Sequence, residues 1–94
     1  VLKETRVFAP PPEFAAAANV PSAAEADRLR QWAESDPDGF WAEQAKSLDW
    51  FQPFTTVLDW SHQPHARWFV GGKTNVSHNC LDRHLKSWRK NKAA

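Results

Sequence analysis

Six of the 94 residues are tryptophan and six are phenylalanine, with no tyrosine and no methionine beside them. Much of the remaining apolar inventory is alanine, which buries little area. Any core must therefore be built from aromatic rings, each able to remove about 150–250 Å² from water. A chain of this length closes one small domain at most, with a modest buried fraction and marginal stability. So many bulky rings in so short a chain point to a surface that something else covers.

The formal net charge is +1, which selects no charged partner. A single cysteine, Cys80, excludes an internal disulfide and fits a reducing compartment, the cytoplasm. No apolar run approaches the roughly 18–20 residues that cross a bilayer, and no signal-peptide core is visible. The chain starts at Val1 without an initiator Met, so upstream residues are expected.

Read along the chain, the pattern predicts a mainly α fold. Residues 1–21 are expected to form an extended, proline-rich strap around Pro10, Pro11 and Pro12, with Val7, Phe8 and Phe14 available to lie on another surface. Ser22 followed by Glu25 is a capping box, and Ala26, Leu29, Trp32 and Ala33 repeat at helical spacing. Two helices are predicted within 22–48, one over 22–35 and one over 37–47. The second is capped by Asp36 with Pro37 at its first position, and is weakened by Gly39. Residues 49–74 read as irregular and aromatic, with short extended pieces at Thr56–Leu58 and Arg67–Val70 and breaks at Pro53 and Pro64. A third helix is predicted over 75–90, capped by Asn75, striped by Leu81, Leu85 and Trp88, and supported by Asp82 and Lys86 at i,i+4.

Several motifs carry possible chemistry, and each has a plainer reading. Gly72-Lys73-Thr74 resembles the end of a phosphate loop, but Arg67 stands where that loop needs its first glycine, so a tight turn is the better reading. His62 with His65, or His78, Cys80 and His84, could suggest a metal, yet structural zinc needs four converging ligands. Cys80 and His84 fall one helical turn apart, as a nucleophile and base would. Nothing supplies an oxyanion hole, so a core cysteine is the simpler reading. Arg83, Lys86, Arg89, Lys90 and Lys92 surround Trp88 and could form a nucleic-acid surface. A solvated face that complements the helix dipole, balanced by the acidic first half of the chain, is the plainer reading. Asn75-Val76-Ser77 matches a glycosylation sequon but reads as a helix cap. The residues alone give a small Trp-rich module and no function.

Four stretches, in order, carry a resemblance. They are Arg6-Val7-Phe8 with the prolines, Asp36-Pro37-Asp38-Gly39-Phe40-Trp41, the pair Leu48-Asp49-Trp50-Phe51 and Val57-Leu58-Asp59-Trp60, and the long block from Arg67-Trp68-Phe69 through Gly71-Gly72 and Asn75-Val76-Ser77 to Asn79-Cys80-Leu81-Asp82-Arg83-His84. This arrangement resembles the N-terminal region of AMP-forming acetyl-CoA synthetases over nearly the whole chain.

The resemblance implies a parent enzyme that joins acetate to ATP, forms acetyl-AMP and pyrophosphate, and passes the acetyl group to coenzyme A. ATP, magnesium and coenzyme A belong to that parent; none is expected in this segment. Family members run to several hundred residues, and their ATP loop, acetate pocket and catalytic lysine lie downstream. The ending at Lys92-Ala93-Ala94 reads as a cut before the first strand of the large domain. No catalytic, cofactor or metal residue is therefore carried over. The segment is expected to be a structural cap on an α/β adenylate-forming body, with the rest of its own chain as partner and no nucleic acid or membrane. In isolation it is expected to self-associate, and Trp68 is its expected anchor. The alternative is an independent binding module that uses the basic third helix for nucleic acid or a protein partner.

Overall fold

The computed structural model describes residues 2–93. The chain forms two compact units, Val1–Ser35 and Asp36–Ala94. The fold is mixed, with helical segments and a two-stranded antiparallel sheet.

In the first unit the extended strap is interrupted. Pro12–Ala17 forms a short helix, α1. Pro12 itself starts it, because a proline at the first helical position loses no hydrogen bond and already has a helical φ. The strap expectation took all three prolines as extended; Pro12 instead opens a helix, while Pro11 before it has φ −54° and ψ 134°. Glu4 and Arg6 form an exposed fork, with Arg6 NH2 2.6 Å from Glu4 Oε2. That guanidinium holds the Glu4 carboxyl down at about 2.

Helix α2, Ala23–Ser35, follows. Ser22 Oγ accepts from the Glu25 N–H at 3.1 Å, one half of the capping box. The Glu25 carboxylate does not return the bond; it pairs with Arg28 at 2.7 Å.

The second unit begins with α3, Pro37–Ala45. Asp36 Oδ1 accepts from the Gly39 N–H at 3.0 Å. Gly39 permits this cap: a Cβ there would stand 2.0 Å from Asp36 Oδ2. The glycine that looked like a weakness in sequence thus leaves room for the capping carboxylate. Gly39→Ala would displace the cap, at a cost of about 0.5–2 kcal/mol. It would also gain about 1 kcal/mol of helix propensity. The two nearly cancel, so the urea midpoint should move little.

Thr56–His62 and Val70–His65 pair as the antiparallel strands β1 and β2 (β2 being His65–Val70), with Thr56 opposite Val70 and Leu58 opposite Trp68. The β-branched and aromatic residues favour this pleated surface. The two short extended pieces expected within an otherwise irregular segment are thus the strands of a hairpin, closed by a turn at Gln63-Pro64 and continued by a bridge between Gln52 and Lys73. Sequence reading stopped each strand short because Asp59, Ser61 and His62 look like loop residues.

The third helix is also different. Helix α4 covers only Val76–Cys80, and Leu81 leaves helical geometry at φ −123°, ψ −66°. Two 3-10 turns, Asp82–Lys86 and Trp88–Asn91, replace the rest. Ser87 is extended between them.

Packing is shallow. Ala45 is the only buried hydrophobic residue among those described, at 4% exposure. The core is instead a set of half-buried rings. Trp50 meets Phe54 at 5.2 Å and Phe69 at 5.5 Å, and Phe54 meets Phe69 at 5.1 Å. The Trp50 indole N–H donates to the Ala45 carbonyl at 3.0 Å. Phe69 reaches this cluster with φ +49°, a conformation that bulky residues rarely adopt and that surrounding contacts must hold. Gly72 lies under the Trp50 ring, where a Cβ would come within 2.6 Å of Cζ3.

Candidate functional site

Bonds between distant parts of the second unit converge on one side chain, Asn79. Its Oδ1 accepts from the Asp49 N–H at 2.7 Å and from Arg83 NH1 at 3.0 Å. Its Nδ2 lies 3.1 Å from the Asp49 carbonyl, 2.9 Å from Thr74 Oγ1 and 3.0 Å from the Asn75 carbonyl. An amide has two N–H groups, so three acceptors share them. Thr74 Oγ1 donates to the Asp49 carbonyl at 2.7 Å, and Arg83 NH1 donates to the Ser47 carbonyl at 2.7 Å. Asn75 Oδ1 caps α4 by accepting the His78 N–H at 3.0 Å. His78 Nε2 lies 3.1 Å from Asp49 Oδ2, and its ring stands edge-on to Phe51 at 5.0 Å. The segment after α3 is thereby fastened to α4.

The bonds to Asp49 lie next in the chain to Trp50 of the ring cluster, and other rings of the unit stay open to solvent. Trp41 meets Trp68 at 6.1 Å. Trp41, Trp60 and Trp68 remain 43%, 47% and 48% exposed, and Phe51 63%. Exposed apolar surface of this kind marks a candidate packing site.

The motifs singled out from the sequence fall as follows. The N–H groups of Gly72 and Lys73 are spent inside the fold, donating to the carbonyls of Phe69 and Gln52 at 3.0 and 2.9 Å. They cannot cradle a phosphate, and the residues here do not fit an ATP loop. His62 and His65 are cross-strand partners at the hairpin end. His62 Nδ1 lies 2.9 Å from Ser61 Oγ. Cys80 is exposed rather than in a core, because the helix stops at it. The same break removes the shared α-helical face expected of Cys80 and His84, although both line one cleft. Among the described residues, no three His, Cys, Asp or Glu side chains converge as metal ligands.

At the hairpin end, Asp59 accepts from the Ser61 hydroxyl and from the Ser61 N–H. These bonds hold the Asp59 carboxyl below its ordinary value. A lowered folded-state value contributes stability above the unfolded-state value, and loses it as pH falls through the folded one. Ser61→Ala should raise the Asp59 midpoint, as an NMR titration of its carboxyl would show.

The roles of Asn79 and Arg83 as hub and brace were missed by sequence reasoning. A signal was present: Thr74, Asn75, Asn79 and Arg83 are polar residues crowded between aromatic stretches just after a double glycine.

The fold and clasp define a small, largely helical module with one hairpin and several half-exposed rings. The chain belongs to the family described as the acetyl-coenzyme A synthetase N-terminus, which matches residues 26–80. It is 45% identical over 94 residues to an acetyl-coenzyme A synthetase of Chlorobaculum tepidum, covering all of this chain and 14% of that protein. A Gemmatimonas aurantiaca acetyl-coenzyme A synthetase is 49% identical over 94 residues, with the same coverage of 100% and 14%. One from Mycolicibacterium smegmatis is 51% identical over 80 residues, 85% of this chain and 8% of the relative. The chain thus corresponds to the N-terminal part of acetyl-coenzyme A synthetase and spans about a seventh of the length of the first two relatives.

Proposed function

We propose that this chain is a noncatalytic cap, whose parent enzyme converts acetate, ATP and coenzyme A to acetyl-CoA, AMP and pyrophosphate in the cytoplasm. The cap organises residues 1–94 around one task, covering apolar surface of the larger α/β body with its rings. The observation that carries this reading is the half-exposed ring surface of Trp41, Trp60 and Trp68 on a unit where, among the described residues, no buried side-chain polar atom lacks a hydrogen-bond partner. The clasp centred on Asn79 serves to hold that surface in shape. ATP, magnesium and coenzyme A are parent ligands, and the Gly72–Lys73 backbone supports placing the nucleotide elsewhere.

The 94-residue chain, mixed with acetate, ATP, magnesium and coenzyme A, should form no acetyl-CoA in a coupled assay. Clear turnover would refute the noncatalytic role.

A further inference from the structure

The segment after α4 has a property that the half-exposed rings do not share. Residues 80–93 carry Arg83, Lys86, Arg89, Lys90 and Lys92 against the single acid Asp82. The two 3-10 turns fold this segment around a cleft of about 330 Å³. Leu81 and Leu85 line it and are 63% and 64% exposed. Arg89, Lys90 and Lys92 stand around them. Among the described residues none of these three cations is in an ion pair. An aliphatic lining with an unneutralised cationic rim is complementary to a segment with apolar side chains and carboxylates.

We propose that this cleft receives an acidic, apolar segment from the remainder of the synthetase chain, a proposal that rests on the reading of residues 1–94 as a cap. Its aliphatic groups cover Leu81 and Leu85, and its Asp or Glu side chains meet Arg89, Lys90 and Lys92. Two observations favour this occupant. The relatives are far longer than this chain, which covers 14% of them, so a partner segment within the same polypeptide is at hand. A second copy of the cleft would bring like charges together. A nucleic acid would offer phosphates to the cationic rim but no aliphatic groups to cover the exposed Leu81 and Leu85.

Hydroxyl-radical footprinting of the full-length synthetase and of the 94-residue chain tests this. Leu81, Leu85 and Trp88 should oxidise several-fold more slowly in the full-length enzyme. Reversing the rim charges there, with Arg89→Glu and Lys92→Glu together, should restore the faster rate; both side chains face solvent, so the fold is kept. Equal rates in the two proteins would overturn the proposal. So would slowing that ignores the charge reversal, slowing in the short chain as its concentration rises, or slowing only after RNA is added. The two readings fail separately. Protection of Trp41, Trp60 and Trp68 without Leu81 and Leu85 sinks the cleft assignment alone, whereas no protection anywhere sinks the cap as well.

Discussion

Trp50→Ala should cost about 3–5 kcal/mol, the usual effect of truncating a large aromatic in a core. Trp50 touches Phe54 and Phe69, covers Gly72 and donates its indole N–H to Ala45, the one buried hydrophobic among the described residues. Removing it loosens α3 from the hairpin and takes away one of the rings, with Phe54 and Trp68, that hold the left-handed backbone of Phe69. Against a total stability of about 5–15 kcal/mol for a small domain, that loss is a large share. The cooperative near-ultraviolet melt should move sharply down or vanish. Trp88→Ala should scarcely shift it, since Trp88 is 78% exposed. Equal shifts for the two would mean that the ring cluster does not carry the core. The anchor expected from sequence, Trp68, is 48% exposed and should fall between them.

The second large effect is expected at Asn79. Asn79→Ala removes the acceptor for Asp49 and Arg83 and the donor to Asp49, Thr74 and Asn75. Each such bond is worth about 0.5–1.5 kcal/mol net. Most are exposed, so water replaces part of the loss, and the Thr74 hydroxyl still bonds the Asp49 carbonyl. The expected cost is about 2–3 kcal/mol, at the lower end of what the separate bonds would give. Asn75→Ala removes only a cap and should cost about 1 kcal/mol. Urea unfolding monitored by tryptophan fluorescence compares them, and an Asn79→Ala effect no larger than that of Asn75→Ala would contradict its role as hub.

The local signals in the sequence were of uneven value. Asp36-Pro37 and Ser22 announced helix starts that α3 and α2 use, because capping depends on a few adjacent residues. The length of the third helix was not legible. Leu81, Leu85 and Trp88 keep helical spacing, yet Leu81 departs from helical angles and 3-10 turns follow. The hairpin was legible only in part: Thr56–Leu58 and Arg67–Val70 read as extended and lie in β1 and β2, but Asp59, Ser61 and His62 hide the rest of β1, and the pairing is set by residues across the turn. Asn79 could be seen as a motif residue, but its role depends on Asp49, thirty positions away in the chain. The aromatic excess was the most informative feature. It led to the expectation of a surface that something else covers, and Trp41, Trp60 and Trp68 stand about half exposed in the fold.

The cap reading is tested most directly by mixing the 94-residue chain with the separately produced remainder of the synthetase. Hydrophobic-dye fluorescence and sedimentation would be followed together. The account predicts that the short chain alone binds the dye or self-associates, and that adding the remainder gives a one-to-one complex with the dye released. A short chain that stays a dye-free monomer with a sharp melt, and forms no complex with the remainder, would contradict it.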